Sequence, residues 1–126
     1  MSEHSQVLAQ AVAYCEAIHF SRPGVFSDMC HDNFLMTAVS EAGDAAFWDK
    51  DAYLERVAGR DPFPGQPSYN IYGIDVAGGD IARVHLWVDV PPVRYEDHLG
   101  FIRVDGSWKL ITKVFRTAGV AAAVNG

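Results

Sequence analysis

The chain has 126 residues, 49% hydrophobic and 21% charged, with 16 acidic and 10 basic residues and a net charge of −6. This composition predicts one globular domain over residues 1–126, and the acidic balance without a basic cluster argues against nucleic acid as a partner. No apolar run approaches the ~18 residues of a membrane span, and the start MSEHSQ lacks a signal-peptide pattern. We therefore expect a cytoplasmic protein that does not associate with a membrane.

Cysteine and glycine spacing indicates no metal, cofactor or phosphate site. Cys15 and Cys30 are isolated thiols, so we expect reduced, partly buried cysteines rather than a disulfide or a metal site. His31 follows Cys30, but adjacent residues of an extended segment point to opposite faces, which argues against a cysteine nucleophile. The Gly78-Gly79 pair joins two strands instead of opening a helix, so it does not resemble a phosphate loop.

The first half of the chain predicts three helices and one strand. Apolar residues three and four positions apart predict a helix over Ser5–Phe20, and Pro23 suits the first turn of a short helix that ends near Met29. The run NFLMTAV, residues 33–39, predicts a strand. Asp49 can cap a helix that runs to about Ala58 and ends at Gly59, with Tyr53 on its buried stripe.

The second half predicts an antiparallel meander. Prolines between positions 62 and 67 exclude a helix or a central strand there. The Asp105-Gly106 pair between alternating apolar residues is a strong signal for a tight hairpin. The four predicted strands are Tyr69–Val76, Ile81–Val90, Val93–Val104 and Ser107–Arg116. Helices followed by a meander predict an α+β fold in which the helices pack on one face of a curved sheet.

Two-residue turns determine which side chains share a face of this sheet. In the last hairpin they place Phe101 opposite Leu110, Leu99 opposite Thr112 and Asp97 opposite Val114. One face is then mostly apolar and carries Tyr69, Ile71, Val84, Leu86, Val88, Tyr95, Asp97, Leu99, Phe101, Trp108, Leu110 and Val114. The other face carries a row of Tyr72, His85, His98 and Lys113 beside a row of Asn70, Trp87, Glu96 and Phe115.

Three segments resemble one known superfamily: Phe47-Trp48 through Val57, GGDIARVHLWV, and YEDHLGFIRVDGSWKLITKVF at residues 95–115. With the order of the elements, they are similar to the nuclear transport factor 2-like (NTF2-like) superfamily, in particular its lumazine-binding and polyketide-cyclase-like branch. The resemblance implies a cone of about three helices on the concave face of a mostly antiparallel sheet. Asp97 matches an acidic position common in the penultimate strand of this branch, and Trp108 and Lys113 match its terminal G-x-W-x-x-x-x-K pattern.

Asp97 is the single carboxylate on the apolar face and is the first candidate for chemistry. A carboxylate there must face a pocket, accept hydrogen bonds or become neutral, because an unpaired buried charge is costly. It would then act as a general acid or base, with Tyr14 or Tyr95 polarising a substrate oxygen. Buried polar groups are more often structural than catalytic, which favours the alternative that Asp97 bonds a tyrosine hydroxyl or a backbone N–H and joins the sheet to a helix.

The other candidate residues form two groups. We expect a ligand in the cone to contact aromatic and apolar side chains, and His19 at the end of the first helix either caps that helix or reaches the cavity mouth. The predicted ligand-binding residues are Tyr95, Trp108, Phe101, Leu99, Phe26, His19 and Tyr53. The outer face predicts a dimer interface, as the resemblance also implies, formed by Tyr72, His85, Trp87, His98, Lys113 and Phe115. We expect no metal there, because two histidines lack a third ligand and Lys113 would repel a cation.

The sequence and the resemblance support three hypotheses about function. The first is a protein that binds a small hydrophobic or aromatic molecule in a largely apolar cone without a cofactor. The second is a cofactor-independent isomerase, dehydratase or cyclase that uses Asp97, since superfamily members include such enzymes as well as non-catalytic binding domains. The third is a dimerisation module whose cone is filled by side chains.

Overall fold

The computed structural model describes residues 2–121 and confirms the α+β class. Three helices and six strands lie within those residues. In chain order they are α1 (Glu3–His19), α2 (Pro23–Met29), β1 (Cys30–Val39), β2 (Ala45–Asp49), α3 (Lys50–Ala58), β3 (Tyr69–Ala77), β4 (Ile81–Val90), β5 (Val93–Val104) and β6 (Ser107–Val120). None of these helices has both the length and the apolar composition that a membrane crossing requires.

Local capping explains where the helices begin. The Ser2 hydroxyl accepts a hydrogen bond from the backbone N–H of Ser5 at 3.1 Å, so α1 begins two residues before the predicted start. The Asp49 carboxylate caps α3, as predicted, by accepting from the N–H of Ala52 at 2.9 Å. Pro23 occupies the first turn of α2, where its missing N–H costs no hydrogen bond.

The six strands form one curved, unclosed sheet in the order β2-β1-β6-β5-β4-β3. All neighbours are antiparallel except β1 and β6, which are parallel. Strand β2 is absent from the predicted elements, which pass from the strand at residues 33–39 directly to the helix capped by Asp49. The three helices pack on one face of the sheet. The core between the two layers contains both cysteines, which are buried and unpaired as predicted.

The pairing of β4 with β5 matches the prediction. Pro91 and Pro92 form the two-residue connection, so that His85 lies opposite His98 and Leu86 lies opposite Asp97. Between β3 and β4 the turn has three residues, 78–80, and an irregularity near Tyr72 then restores the predicted pairing of Ile71 with Leu86 and Tyr69 with Val88. The row of Tyr72, His85 and His98 on the outer face therefore exists, with ring centres 4.7 and 4.6 Å apart.

The predicted register of β5 and β6 is correct only next to the turn. Phe101 lies opposite Leu110, but a β-bulge follows, and Gly100 lies opposite Thr112. The predicted pairs Leu99–Thr112 and Asp97–Val114 are wrong, since Leu99 lies opposite Lys113 and Asp97 opposite Phe115. One extra residue moves every later side chain of β6 to the other face.

The bulge also corrects the predicted outer row. Lys113 is only 7% exposed and faces the helices, whereas Val114, predicted to be internal, is 55% exposed on the outer face. Phe115 is half-buried and packs against Tyr95 on the inner side. The placement of Lys113 and Phe115 on the outer face is therefore wrong, because strict alternation along a strand cannot anticipate a bulge.

We predict that a side chain at Gly100 destabilises the fold through this bulge. A Cβ atom there would clash with Thr112 Oγ1. Gly100→Ala should lower the free energy of unfolding by about 1–3 kcal/mol, and by less in a Thr112→Ala background. Gly73→Ala is the control, since its Cβ meets no atom within 4 Å. Urea denaturation measures all four variants; equal effects of Gly100→Ala in both backgrounds would contradict the steric explanation.

Candidate active site at the mouth of the cone

Asp97 lies on the inner face of β5 with no exposed surface. The Tyr14 hydroxyl of α1 donates a hydrogen bond to Asp97 Oδ2 at 2.5 Å. Tyr14 points into the core because its spacing along α1 places it on the stripe that faces the sheet. Within residues 2–121, Asp97 Oδ1 has no hydrogen-bond partner. Asp97 therefore joins helix to sheet through one oxygen and keeps the other available as an acceptor.

Lys113 is the second charged group in this interior. Its Nζ lies 3.9 Å from Asp97 Oδ2 and donates a hydrogen bond to the Tyr53 hydroxyl at 3.4 Å. The same ammonium lies 4.9–5.3 Å from the ring centres of Tyr14, Tyr53 and Phe115, within the range of cation–π attraction. The amine is thus held by aromatic rings and one carboxylate.

Burial shifts the proton affinities of these groups. Desolvation raises the pKa of Tyr14 well above its ordinary value, and the charge of Asp97 raises it further. Desolvation likewise raises the pKa of Tyr53. The pKa of Lys113 is lowered, chiefly by burial and also by Arg60 and Arg56, while Asp97 opposes this shift. Both phenols are therefore kept neutral, and the amine loses its proton more easily than an exposed lysine.

A small cavity lies next to Lys113, and we call it the mouth cavity. Its lining includes Tyr53, Tyr95, Lys113, Phe115, Arg56 and Arg60. Its volume is about 20 Å³, which is room for about one water molecule. Asp97 is not among its described lining residues and lies behind Lys113. The mouth cavity is thus much smaller than the largely apolar, ligand-sized cavity expected from the sequence.

Two arginines stand at the opening of the mouth cavity. Arg56 is exposed, and its guanidinium lies 5.2 Å from the ring centre of Trp48. Arg60 is half-buried, and its Nε is buried without a hydrogen-bond partner from the described part of the chain. Rings of Trp48 and Phe115 lie 5.8 Å apart beneath Arg56. The opening therefore combines cationic groups with an aromatic rim.

The structure separates the predicted ligand-binding residues. Tyr53 and Tyr95 line the mouth cavity. Four others are buried in the core and are not among its described lining residues: Trp108, Phe101, Leu99 and Phe26. His19 is 3% exposed, and its Nε2 donates to the carbonyl of Gly65 at 3.0 Å, which ties the proline-rich loop to α1.

Sequence reasoning missed Arg56 and Arg60 as site residues. Tyr53, Arg56 and Arg60 recur at positions i, i+3 and i+7, which predicts one common face of α3 and its C-terminal extension. That spacing could have identified both arginines as neighbours of Tyr53. Within residues 2–121, no group of three or more histidine, cysteine or acidic side chains is arranged to hold a metal ion.

We predict that the two buried phenols make the fold sensitive to alkali. Their folded pKa values are raised, so the stability they contribute is fully present below the ordinary pKa of 10.0 and is lost as pH rises above it. Tyr53→Phe should reduce the loss of unfolding free energy above pH 10 by about 1.4 kcal/mol per pH unit. Tyr72→Phe, at a residue 55% exposed, should leave the slope unchanged. Urea denaturation across this pH range tests the difference; identical slopes would refute it.

The comparisons with known structures establish the fold. An NTF2-like protein of unknown function from Silicibacter pomeroyi is 22% identical, with 90% of this chain and 93% of that chain covered and a TM-score of 0.82. An NTF2-like protein of unknown function from Shewanella baltica is 15% identical, with 91% and 93% covered and a TM-score of 0.83. A ketosteroid isomerase-like protein from Erwinia carotovora atroseptica is 17% identical, with 94% and 98% covered and a TM-score of 0.74. At these identities the likeness shows the fold alone.

Sequence comparison assigns the family. No protein with a curated description matches the chain. The model of the family described as "Putative lumazine-binding" matches residues 2–116, which is most of the chain. The chain therefore belongs to this "Putative lumazine-binding" family, and its fold is NTF2-like.

Proposed function

We propose that the mouth cavity binds a small, planar, anionic molecule. The observation that carries this proposal is the convergence of Arg56, Arg60 and Lys113 on one cavity, with Arg60 Nε lacking a hydrogen-bond partner within the described residues. A buried donor without an acceptor costs ~1–3 kcal/mol, and a carboxylate or an enolate-like oxygen would satisfy it.

The local charge favours an anion although the whole chain is acidic. The net charge of the chain is −6, yet three cationic groups line this cavity and no carboxylate is among its described lining residues. Two of the three are guanidinium groups, whose planar forks bind carboxylates with two parallel hydrogen bonds. The mouth would therefore attract anions from solution, and added salt would weaken this attraction.

The aromatic rim favours a planar ligand. Arg56 lies over Trp48 at 5.2 Å and over Phe115 at 6.0 Å. Because exposed cation–π contacts contribute only ~0.5–1 kcal/mol, Arg56 can swing outward at small cost. This movement of Arg56 would enlarge the space of about 20 Å³. A flat ring would then occupy the position of the Arg56 guanidinium on the rim. The family description names lumazine, which is a planar nitrogen heterocycle of this kind.

Direct acid–base catalysis by Asp97 is less well supported. Asp97 has no exposed surface, and Oδ2 already accepts from Tyr14. Lys113 and Tyr53 line the mouth cavity in front of it. Asp97 therefore suits a positioning role, in which its charge holds Tyr14 and the Lys113 amine in place.

We predict that benzoate binds at the mouth cavity and that benzyl alcohol binds more weakly. Arg60→Gln should weaken benzoate binding about 10- to 100-fold, the effect of losing a hydrogen bond to a charged group. Arg83→Gln is the matched control, because Arg83 is exposed and paired with Asp75. Isothermal titration calorimetry measures each affinity, with lumazine as a second probe. Equal affinities for the acid and the alcohol, or equal effects of the two variants, would refute anion binding at this site.

The outer face of the sheet favours a second role, the formation of a homodimer. Its apolar side chains are strongly exposed: Leu35 40%, Val39 74%, Phe47 62%, Tyr72 55% and Val114 55%. Beside them Arg116 Nη1 pairs with Glu96 Oε1 at 3.3 Å, and His85 Nε2 bonds Glu96 Oε2 at 2.6 Å. A patch that carries both signs of charge around apolar residues is self-complementary, as an interface between two identical copies requires. We therefore propose a second copy of this chain as the occupant, contacting Tyr72, His85, Trp87 and His98.

We predict that Val114→Asp disrupts this dimer. An unpaired carboxylate at the centre of an apolar interface costs several kcal/mol. The dissociation constant of the dimer should therefore rise so far that the variant is monomeric at micromolar concentration. Leu8→Asp is the control, because Leu8 is 39% exposed on α1, on the opposite side of the sheet. Sedimentation equilibrium distinguishes the two species. A monomeric wild-type chain, or dissociation by both substitutions, would contradict the proposed interface.

A further inference from the structure

We propose that Lys113 is a nucleophilic amine that forms an imine with the carbonyl carbon of a small 2-oxo carboxylate in the mouth cavity. This inference rests on the proposed function, because the carboxylate of that compound would bind Arg60 and Arg56. It adds a substrate class and a covalent step that anion binding alone does not require.

The position of Lys113 carries the inference. Among the described residues that line the mouth cavity, it supplies the only amine. Its side chain is 7% exposed and is enclosed by the rings of Tyr14, Tyr53 and Phe115. An enclosed lysine has few conformations to lose when it reacts, so Nζ is already placed at the floor of the site.

The surrounding charges favour a reactive amine. Attack requires the neutral form, and burial together with Arg60 and Arg56 lowers the pKa of Lys113. Asp97 acts in the opposite direction, since its Oδ2 lies 3.9 Å from Nζ. The same carboxylate would stabilise the positive charge that forms on the nitrogen as it attacks the carbonyl carbon. Asp97 is thus a positioning residue for this step.

The chemistry balances without a further reactant. The lone pair of Nζ forms a bond to the carbonyl carbon, and the π electrons of the carbonyl move to its oxygen. One proton from nitrogen passes to that oxygen, which gives a carbinolamine. The nitrogen lone pair then forms the C=N bond as the hydroxyl group leaves. The hydroxyl group takes the second proton of the nitrogen and departs as water. The ketone and the amine therefore give an imine and water, with no change of oxidation state.

A 2-oxo acid fits the distribution of charge better than a neutral carbonyl compound. Its carboxylate is adjacent to the reacting carbon, so the anion would sit toward the guanidinium groups while the carbonyl reaches Nζ. A compound of three carbons needs the least widening of a space that is about 20 Å³ before Arg56 moves. Larger planar acids would need a wider opening of the rim.

Reductive trapping tests the inference on the full chain. Pyruvate and sodium cyanoborohydride convert an imine into a stable secondary amine, which adds one carboxyethyl group that peptide mass spectrometry can locate. The sequence has three lysines, Lys50, Lys109 and Lys113. Lys50 pairs with Asp32, and Lys109 donates to the Asp28 carbonyl. We expect at least tenfold more modification at Lys113 than at either control lysine.

Variants then test the role of the site. Lys113→Arg keeps the positive charge but cannot form an imine under these conditions, and it should abolish specific modification, whereas Lys109→Met should not reduce it. Arg60→Gln should lower pyruvate labelling of Lys113 at least tenfold, with little effect on labelling by acetaldehyde, which lacks the carboxylate. Because mapping of the unaltered protein is itself decisive, a variant that fails to fold does not weaken the test.

The outcomes separate this inference from the proposed function. Pyruvate labelling spread evenly over the three lysines, or absent from Lys113 while benzoate still binds, would overturn the imine and leave anion binding intact. Absence of both Lys113 labelling and benzoate binding would overturn both proposals. Labelling of Lys113 that is independent of Arg60 would overturn the 2-oxo acid as the substrate class.

Discussion

The buried carboxylate of Asp97 is the constraint on which the interior of this protein depends. An ionised group without surface exposure must be compensated by partners that arrive from other elements, because its lost hydration is otherwise too costly. Tyr14 supplies a hydrogen bond from α1 and Lys113 supplies a charge from β6. Helix α1 and strand β6 thus contact β5 at one polar cluster in an apolar core. The packing of the helices on the sheet therefore depends on the register of the strands.

A single β-bulge makes this arrangement possible. Without it, β6 would place Lys113 on the outer face and Val114 beside the carboxylate, so that Asp97 would lack a basic partner. The bulge exchanges the two faces after Leu110, and the lysine enters the core together with Phe115. Proteins commonly use bulges to redirect side chains near functional sites. Here the redirected residue is the amine that lines the mouth cavity.

The two faces of the sheet have distinct chemistry as a result. The inner face is closed by helices, and its polar groups emerge at the mouth, where Arg56 and Arg60 of the α3 region meet Lys113. No helix of residues 2–121 covers the outer face, which combines exposed apolar side chains with the His85–Glu96–Arg116 cluster. There the hydrogen bond from His85 is the main cause that lowers the pKa of Glu96. Small-molecule recognition and self-association can therefore occupy opposite sides of one sheet.

The amino-acid sequence is sufficient to predict the class of the fold, most helix boundaries and the apolar surroundings of Asp97. These features follow from local causes: apolar spacing, the Asp49 cap, the Asp105-Gly106 turn and a lone carboxylate among apolar residues. Strand β2 and the face on which Lys113 lies become apparent only in the folded chain. Their physical reason is shared, since each depends on how strands pair across the sheet. A bulge or a short edge strand leaves almost no trace in the alternation of side chains, yet it decides which of them meet.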